Sequence, residues 1–169
     1  MDIPSHIYDK AEAVLEGYRK QKKRIATAES CTGGLIGAAL TAIPGSSDVF
    51  QGGIISYANE AKSGLLDVDP QLIQAHGAVS EEVATYMAMG ALEYIDADAA
   101  VAVTGVAGPG GGSDDKPVGT VWFALATLDG DQDITVHTGM YHFEGDRAAV
   151  RQGTVETALN MLEEALASS

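Results

Sequence analysis

Two stretches of this chain hold residue types that can attack an electrophilic centre. Ser30 lies in Glu29-Ser30-Cys31-Thr32-Gly33-Gly34, and Lys62 closes Ser56-Tyr57-Ala58-Asn59-Glu60-Ala61-Lys62. A serine hydroxyl needs a base, and no histidine stands near a serine in an evident triad pattern. A lysine can serve if it is neutral. That means lowering its pKa from about 10.4 by roughly 3 units, which costs about 4 kcal/mol. Burial can supply such a shift, and Tyr57 can relay the proton or hold the lysine in place. The bland alternative is a solvated helix lysine paired with an acid.

Ser30 is expected at a strand-to-helix turn, where backbone N–H groups are unpaired and the helix field is positive. Such a turn suits a nucleophile beside an oxyanion hole or a phosphate cradle, or Ser30 or Thr32 simply caps the helix. The hexapeptide is not Gly-x-Ser-x-Gly, Ser-x-x-Lys or a phosphate loop ending in Gly-Lys-Ser/Thr. Cys31 is a second possible nucleophile but has no evident His or Asp companion, and reads as a small buried thiol.

Two further segments fit a ligand. Thr104-Gly105-Val106-Ala107-Gly108-Pro109 follows an apolar run at the end where ligands bind in open α/β sheets. Gly145-Asp146-Arg147 opens a helix, with Arg151 one turn on; an arginine there opposes the helix dipole and calls for an anion or for Asp146 or Glu144 as partner. A Tyr, Lys and separate Ser also occur in short-chain dehydrogenases. Here, however, the Tyr–Lys spacing is one residue too long and no glycine fingerprint follows the first strand. The four histidines, His6, His76, His137 and His142, form no metal-ligand pattern, so no metal or cofactor is expected.

The elements that must position these residues alternate. Helical periodicity runs over 5–23 with Ser5 as cap, then 35 to about 43, 59–66, 70–76, 80–95 and 146–167. Strands are expected at 25–29, 49–57, 99–103, 120–127 and 134–143, the last two joined as a hairpin. The apolar run Ala99–Val103 fits a strand covered on both faces. This order predicts an α/β protein, a three-layer α/β/α sandwich with a mixed sheet, in one domain over 1–169.

Length and composition agree. A chain of 169 residues buries roughly 70% of its unfolded surface and needs no staple to fold, and its single cysteine allows no internal disulfide. The N-terminus lacks the layout of a signal peptide and no run spans a bilayer, so a cytoplasmic protein without membrane contact is expected. The net charge is −14, and six of the ten bases fall before residue 25. From there on Lys62, Lys116, Arg147 and Arg151 face 20 acids. That surface repels nucleic acid. The basic run at 19–24 reads as the exposed end of a helix, and each later base invites a search for the anion it meets.

The motifs in order are more specific than any one alone. Together with Pro44-Gly45-Ser46-Ser47, Phe50, Gly52-Gly53, Gly77-Ala78-Val79-Ser80 and Gly145-Asp146-Arg147, they closely resemble the C-terminal domain of the CinA (competence/damage-inducible) family, including its stand-alone nicotinamide mononucleotide deamidases. The resemblance covers nearly the whole chain. It implies hydrolysis of the carboxamide of nicotinamide mononucleotide, giving nicotinic acid mononucleotide and ammonia, without metal or cofactor. By motif, Ser30 is then the nucleophile, and Lys62 and Tyr57 activate it and handle the proton. The N–H groups of Thr32 and Gly33 hold the oxyanion. Arg147, with Ser47 and Thr104-Gly105, meets the phosphate, while Asn59 and Ala107-Gly108 line the pocket. The resemblance also implies a homodimer or higher homo-oligomer. The alternatives are a catalytically silent nucleotide-binding module using the same pocket, and a hydrolase of another small amide or a phosphoester.

Overall fold

The computed structural model describes residues 2–168. Five strands form one sheet, β1 (Ile25–Glu29), β2 (Phe50–Ile55), β3 (Ala99–Gly105), β4 (Thr120–Leu128) and β5 (Ile134–His142), in the order β2-β1-β3-β4-β5. β1 runs parallel to β2 and β3, while β3–β4 and β4–β5 are antiparallel. The sheet is therefore mixed, as the hairpin after a βαβ start requires. The C-terminal ends of β1, β2 and β3 share one edge of it, and the segments 30–34, 56–62 and 105–109 leave these three strands there.

Six α-helices make the outer layers: α1 (Ser5–Lys20), α2 (Leu35–Thr41), α3 (Asn59–Leu66), α4 (Pro70–His76), α5 (Glu81–Tyr94) and α6 (Arg147–Ala167). Side chains alternate along a strand, so the two sheet faces carry different cores. Ile25, Val101, Val103, Phe123 and Leu125 pack with Val14 and Leu15 of α1, Ile36 of α2 and Leu159 and Leu162 of α6. The other face presents Ala26, Ala28, Ala100, Ala102, Ala124 and Ala126 to Met87, Ala88 and Ala91 of α5. A face built of methyl groups lets α5 lie close to the sheet.

Three local expectations change. α1 ends at Lys20, with Lys22 at φ 56°, and Pro4 rather than Ser5 occupies its N-cap, with no side-chain cap bond. Proline sets the entry angle by its own fixed φ, so no serine cap is needed there. The second strand, Phe50–Ile55, is shorter than 49–57: Ser56 keeps one amide bond to the Glu29 carbonyl and the chain then turns through Tyr57 to α3. The basic run is not simply solvated: Arg19 pairs with Asp48 and Arg24 with Asp96. No helix among the described residues is long and apolar enough to cross a membrane.

Candidate active site

The chain leaves β1 at Glu29 and turns through Ser30–Gly34 into α2. Gly34 is the N-cap at φ 103°, a conformation open to glycine at little cost. Glu29 and Ser30 point to opposite faces of the sheet. Glu29 turns toward α2, where its carboxylate accepts from the amides of Ile36 and Gly37 (2.8 and 3.0 Å) and from Thr32 Oγ1 (2.7 Å). Glu29 is thus buried, with acceptor bonds to three donors that would otherwise be orphans. Ser30 turns the other way, toward α3.

There Lys62 meets it. Ala58 caps α3 in an extended conformation, and the single turn from Asn59 carries Lys62 inward. Lys62 is 1% exposed, and its Nζ lies 3.0 Å from Ser30 Oγ, 3.0 Å from the Ser56 carbonyl and 3.1 Å from the Tyr57 carbonyl. No carboxylate pairs with it among the described residues. Burial lowers its pKa, and the nearby Cys31 opposes this only weakly. A neutral amine has two N–H donors and one lone pair. As an ammonium Lys62 donates to both carbonyls and to Ser30 Oγ; as a neutral amine it keeps its two N–H bonds to the carbonyls and turns its lone pair to the Ser30 O–H, so the same geometry serves both forms. The solvated, acid-paired reading of Lys62 does not hold.

The other expected residues divide. The Tyr57 phenol does not reach Lys62 or Ser30. It is 60% exposed and accepts from Arg147 Nη2 at 2.9 Å, so Tyr57 holds the lysine through its carbonyl instead. Arg147, the first residue of α6, also donates to the Gly108 carbonyl at 2.7 Å. It forms no ion pair with Asp146 or Glu144, because the Asp146 carboxylate accepts from the Ala149 amide as the cap of α6. Ala107 and Gly108 are buried beside it, and Asn59 stands exposed at the rim, one turn before Lys62.

Four expected ligand-site residues are already engaged, tightly packed or misplaced. The Gly33 amide donates to the Ser30 carbonyl (3.0 Å), closing the turn, so only Thr32 of the expected pair offers an N–H without an acceptor among the described residues. Thr104 is buried, and its hydroxyl donates to the Ala78 carbonyl at 2.8 Å, pinning the entry to α5. Gly105 packs so tightly on β4 that a Cβ there would lie 2.6 Å from Val121 Cγ2. Ser47 sits in the 3₁₀ turn Ser46–Asp48 that leads into β2, at the opposite edge of the sheet from Ser30. The length of a strand separates them, so Ser47 does not join this site within one chain.

Glu29 and Arg151 are quoted in the sequence reading but are given no place among the site residues. Arg151 donates from Nε to the Cys31 carbonyl and from Nη2 to the Thr32 carbonyl, both at 3.1 Å. A signal existed for each: Glu29 is the one charged residue of its strand, and Arg151 is one of only four bases after residue 24. Cys31 is 4% exposed, and burial pushes its thiol pKa up to about 11. That makes it a poor nucleophile, since the thiolate is the reactive form. No group of three His, Cys, Asp or Glu side chains is placed to hold a metal ion among the described residues.

These features define a class: an α/β/α protein with a serine–lysine pair at the C-terminal edge of the parallel strands. The particular family follows from comparison. The model of the CinA C-terminal domain matches residues 8–166, and the chain belongs to that family. A CinA-like protein of Mycolicibacterium gilvum is 51% identical over 158 residues, 94% of this chain and 35% of the relative. One from Synechococcus sp. is 52% identical over 152 residues, 90% of this chain and 36% of the relative. The chain thus spans about a third of the length of the curated relatives it matches. Among solved structures, the competence/damage inducible protein CihA from Agrobacterium tumefaciens is 43% identical with TM-score 0.89, covering 98% of this chain and 99% of that one. The CinA superfamily protein KP700603 from Klebsiella pneumoniae is 36% identical, also with TM-score 0.89, covering 96% and 99%.

Proposed function

We propose that the chain hydrolyses the carboxamide of nicotinamide mononucleotide to nicotinic acid mononucleotide and ammonia, with Ser30 as nucleophile and Lys62 as the general base. The observation that carries this reading is the buried Lys62 amine, 3.0 Å from Ser30 Oγ and held by two carbonyls. Ser30 Oγ bonds to the carboxamide carbon while its proton passes to the Lys62 lone pair. The resulting ammonium now has three protons for three acceptors. It returns one to the departing nitrogen as the C–N bond breaks, releasing ammonia and leaving an acyl-serine. Water then adds to the ester carbon, Lys62 takes its proton, and Ser30 leaves with that proton restored. Because the Tyr57 phenol lies against Arg147, the proton path runs through Lys62 alone.

Arg147 supports the substrate class. It stands exposed at the mouth of the site with two neutral acceptors and no acidic partner among the described residues, in a chain of net charge −14. A phosphate arriving there meets a guanidinium with donors to spare and a charge not already neutralised. The test is ammonia release from nicotinamide mononucleotide by the purified protein in the presence of EDTA, with Ser30→Ala alongside. Release by the wild type and none by the variant is expected. Equal release by both overturns the serine mechanism, and binding without release makes the chain a nucleotide-binding module.

A further inference from the structure

The Thr32 amide has no acceptor among the described residues, although Thr32 is fully buried. A buried orphan N–H is rare enough to call for a partner that arrives during function. Its direction is fixed by Arg151. In a trans peptide the carbonyl and the N–H point to opposite sides. Arg151 approaches from α6, on the sheet face toward which Glu29 turns, and draws the Cys31 and Thr32 carbonyls to itself with bonds of 3.1 Å each. The N–H sharing the plane of the Cys31 carbonyl is that of Thr32, so it is turned away from the Arg151 guanidinium. Glu29, on that same face, accepts from the Thr32 hydroxyl at 2.7 Å and gives the residue a second hold.

We infer that Arg151 is a positioning residue that keeps the Cys31–Thr32 peptide oriented, so that the Thr32 amide can donate to the negative oxygen formed when Ser30 adds to a carbonyl. This rests on the hydrolase reading above but not on the identity of the amide. Its signature is kinetic: an oxyanion donor acts when charge develops, not when substrate binds. A lysine at 151 keeps a charge but offers a single point donor, which cannot hold two carbonyls in the fixed geometry of a guanidinium.

The experiment compares the wild type, Arg151→Lys, and Arg151→Ala with and without added guanidinium chloride. Two rates are read: ammonia release from nicotinamide mononucleotide, and labelling of Ser30 by a fluorophosphonate followed by mass spectrometry. The probe places a developing negative oxygen at the same point without any amide. Arg151→Lys is expected to lower kcat by about 10- to 100-fold with KM changed by less than about twofold, and to slow labelling by a similar factor. Guanidinium should restore part of both rates to Arg151→Ala. A raised KM with kcat retained overturns the inference and makes Arg151 a substrate contact. Unchanged rates overturn it too, as does a loss that follows unfolding and is not rescued by guanidinium. Labelling that depends on Arg151, in a wild type that releases no ammonia, keeps the inference and removes the proposed substrate.

Discussion

Two turns in this protein bring a serine to the start of a helix, and they use it in opposite ways. Before α5, Ser80 Oγ accepts from the Val83 amide at 3.3 Å and donates to the Gly77 carbonyl at 2.8 Å. Its donor and an acceptor site are both committed to backbone, which is what a capping serine does. Before α2, Ser30 caps nothing. The amides of Ile36 and Gly37 are satisfied by Glu29, seven and eight positions earlier in the chain. Moving the cap to a carboxylate on the other face leaves the Ser30 hydroxyl free for Lys62. The contrast teaches how a small hydroxyl becomes available for chemistry: another group must first take over the helix end.

The largest expected effect breaks the comparison at its centre. Ser30→Ala is expected to cut turnover by about 10³-fold or more, while leaving chemical denaturation within about 1 kcal/mol of wild type, because no cap is lost. Urea titration and ammonia release on the same preparation check both halves. A Ser30→Ala variant that melts like a cap deletion yet still turns over would put Ser30 in the same role as Ser80.

Glu29→Ala comes next. It strands two helix amides and the Thr32 hydroxyl in a buried place, and losing a buried acceptor costs about 1–3 kcal/mol per orphaned group. A stability loss of at least about 2 kcal/mol is expected by urea titration, together with a fall in kcat, since the Ser30 turn loses its anchor. Glu29→Ala with wild-type stability would mean that solvent or local amides cap α2 after all.

pH sharpens the role of Lys62. Its folded pKa lies below that of a free lysine because burial disfavours the ammonium. The active form of the base is the neutral one, so kcat/KM is expected to rise with pH, about tenfold per unit on the acid limb, through a pKa below the lysine value of 10.5. The linkage has a definite sign. The unfolded chain holds the Lys62 proton to higher pH than the folded one, so this group's contribution makes stability rise with pH between the two values. Lys62→Met should remove that component of the slope along with turnover. A limb that persists in the activity remaining in Lys62→Met belongs to another group.

The sequence carries much of this unevenly, for identifiable reasons. α3 and α4 are legible closely, near Asn59–Leu66 and Pro70–His76, and for α4 Asp69-Pro70 and Gly77 mark both ends chemically. The mixed sheet follows from the βα alternation and the tight turn near Asp129-Gly130. The Ser30 and Lys62 pair is visible from residue types, but the atoms that tune it are not. The two groups holding the lysine are main-chain carbonyls of Ser56 and Tyr57, which any side chain at those positions would supply. For the same reason Tyr57 draws attention to its phenol, whereas its carbonyl touches Lys62. Ser47 shows a different limit. Motif order along the chain says nothing about which end of β2 a residue occupies, and strand direction puts Ser47 at the far edge.

A third serine supplies the smallest effect and the finest distinction. Ser56 is fully buried beside the same lysine, yet its hydroxyl has no hydrogen-bond partner among the described residues, while its carbonyl accepts from Lys62 Nζ at 3.0 Å and its amide donates to the Glu29 carbonyl at 2.8 Å. Backbone and side chain of one residue thus make different claims on the site. If only the carbonyl matters, Ser56→Ala keeps every bond Lys62 makes and removes a buried orphan, so turnover should stay within about twofold and stability should change by less than about 1 kcal/mol, toward greater stability. Steady-state kinetics at several pH values, with urea titration, read both quantities. A tenfold fall in kcat, or a displaced acid limb, would show that the hydroxyl joins the proton path once Lys62 is an ammonium. The pair of Ser30 and Lys62 would then be a triad, and the contrast between a serine freed for chemistry and one held by backbone would have an intermediate case at residue 56.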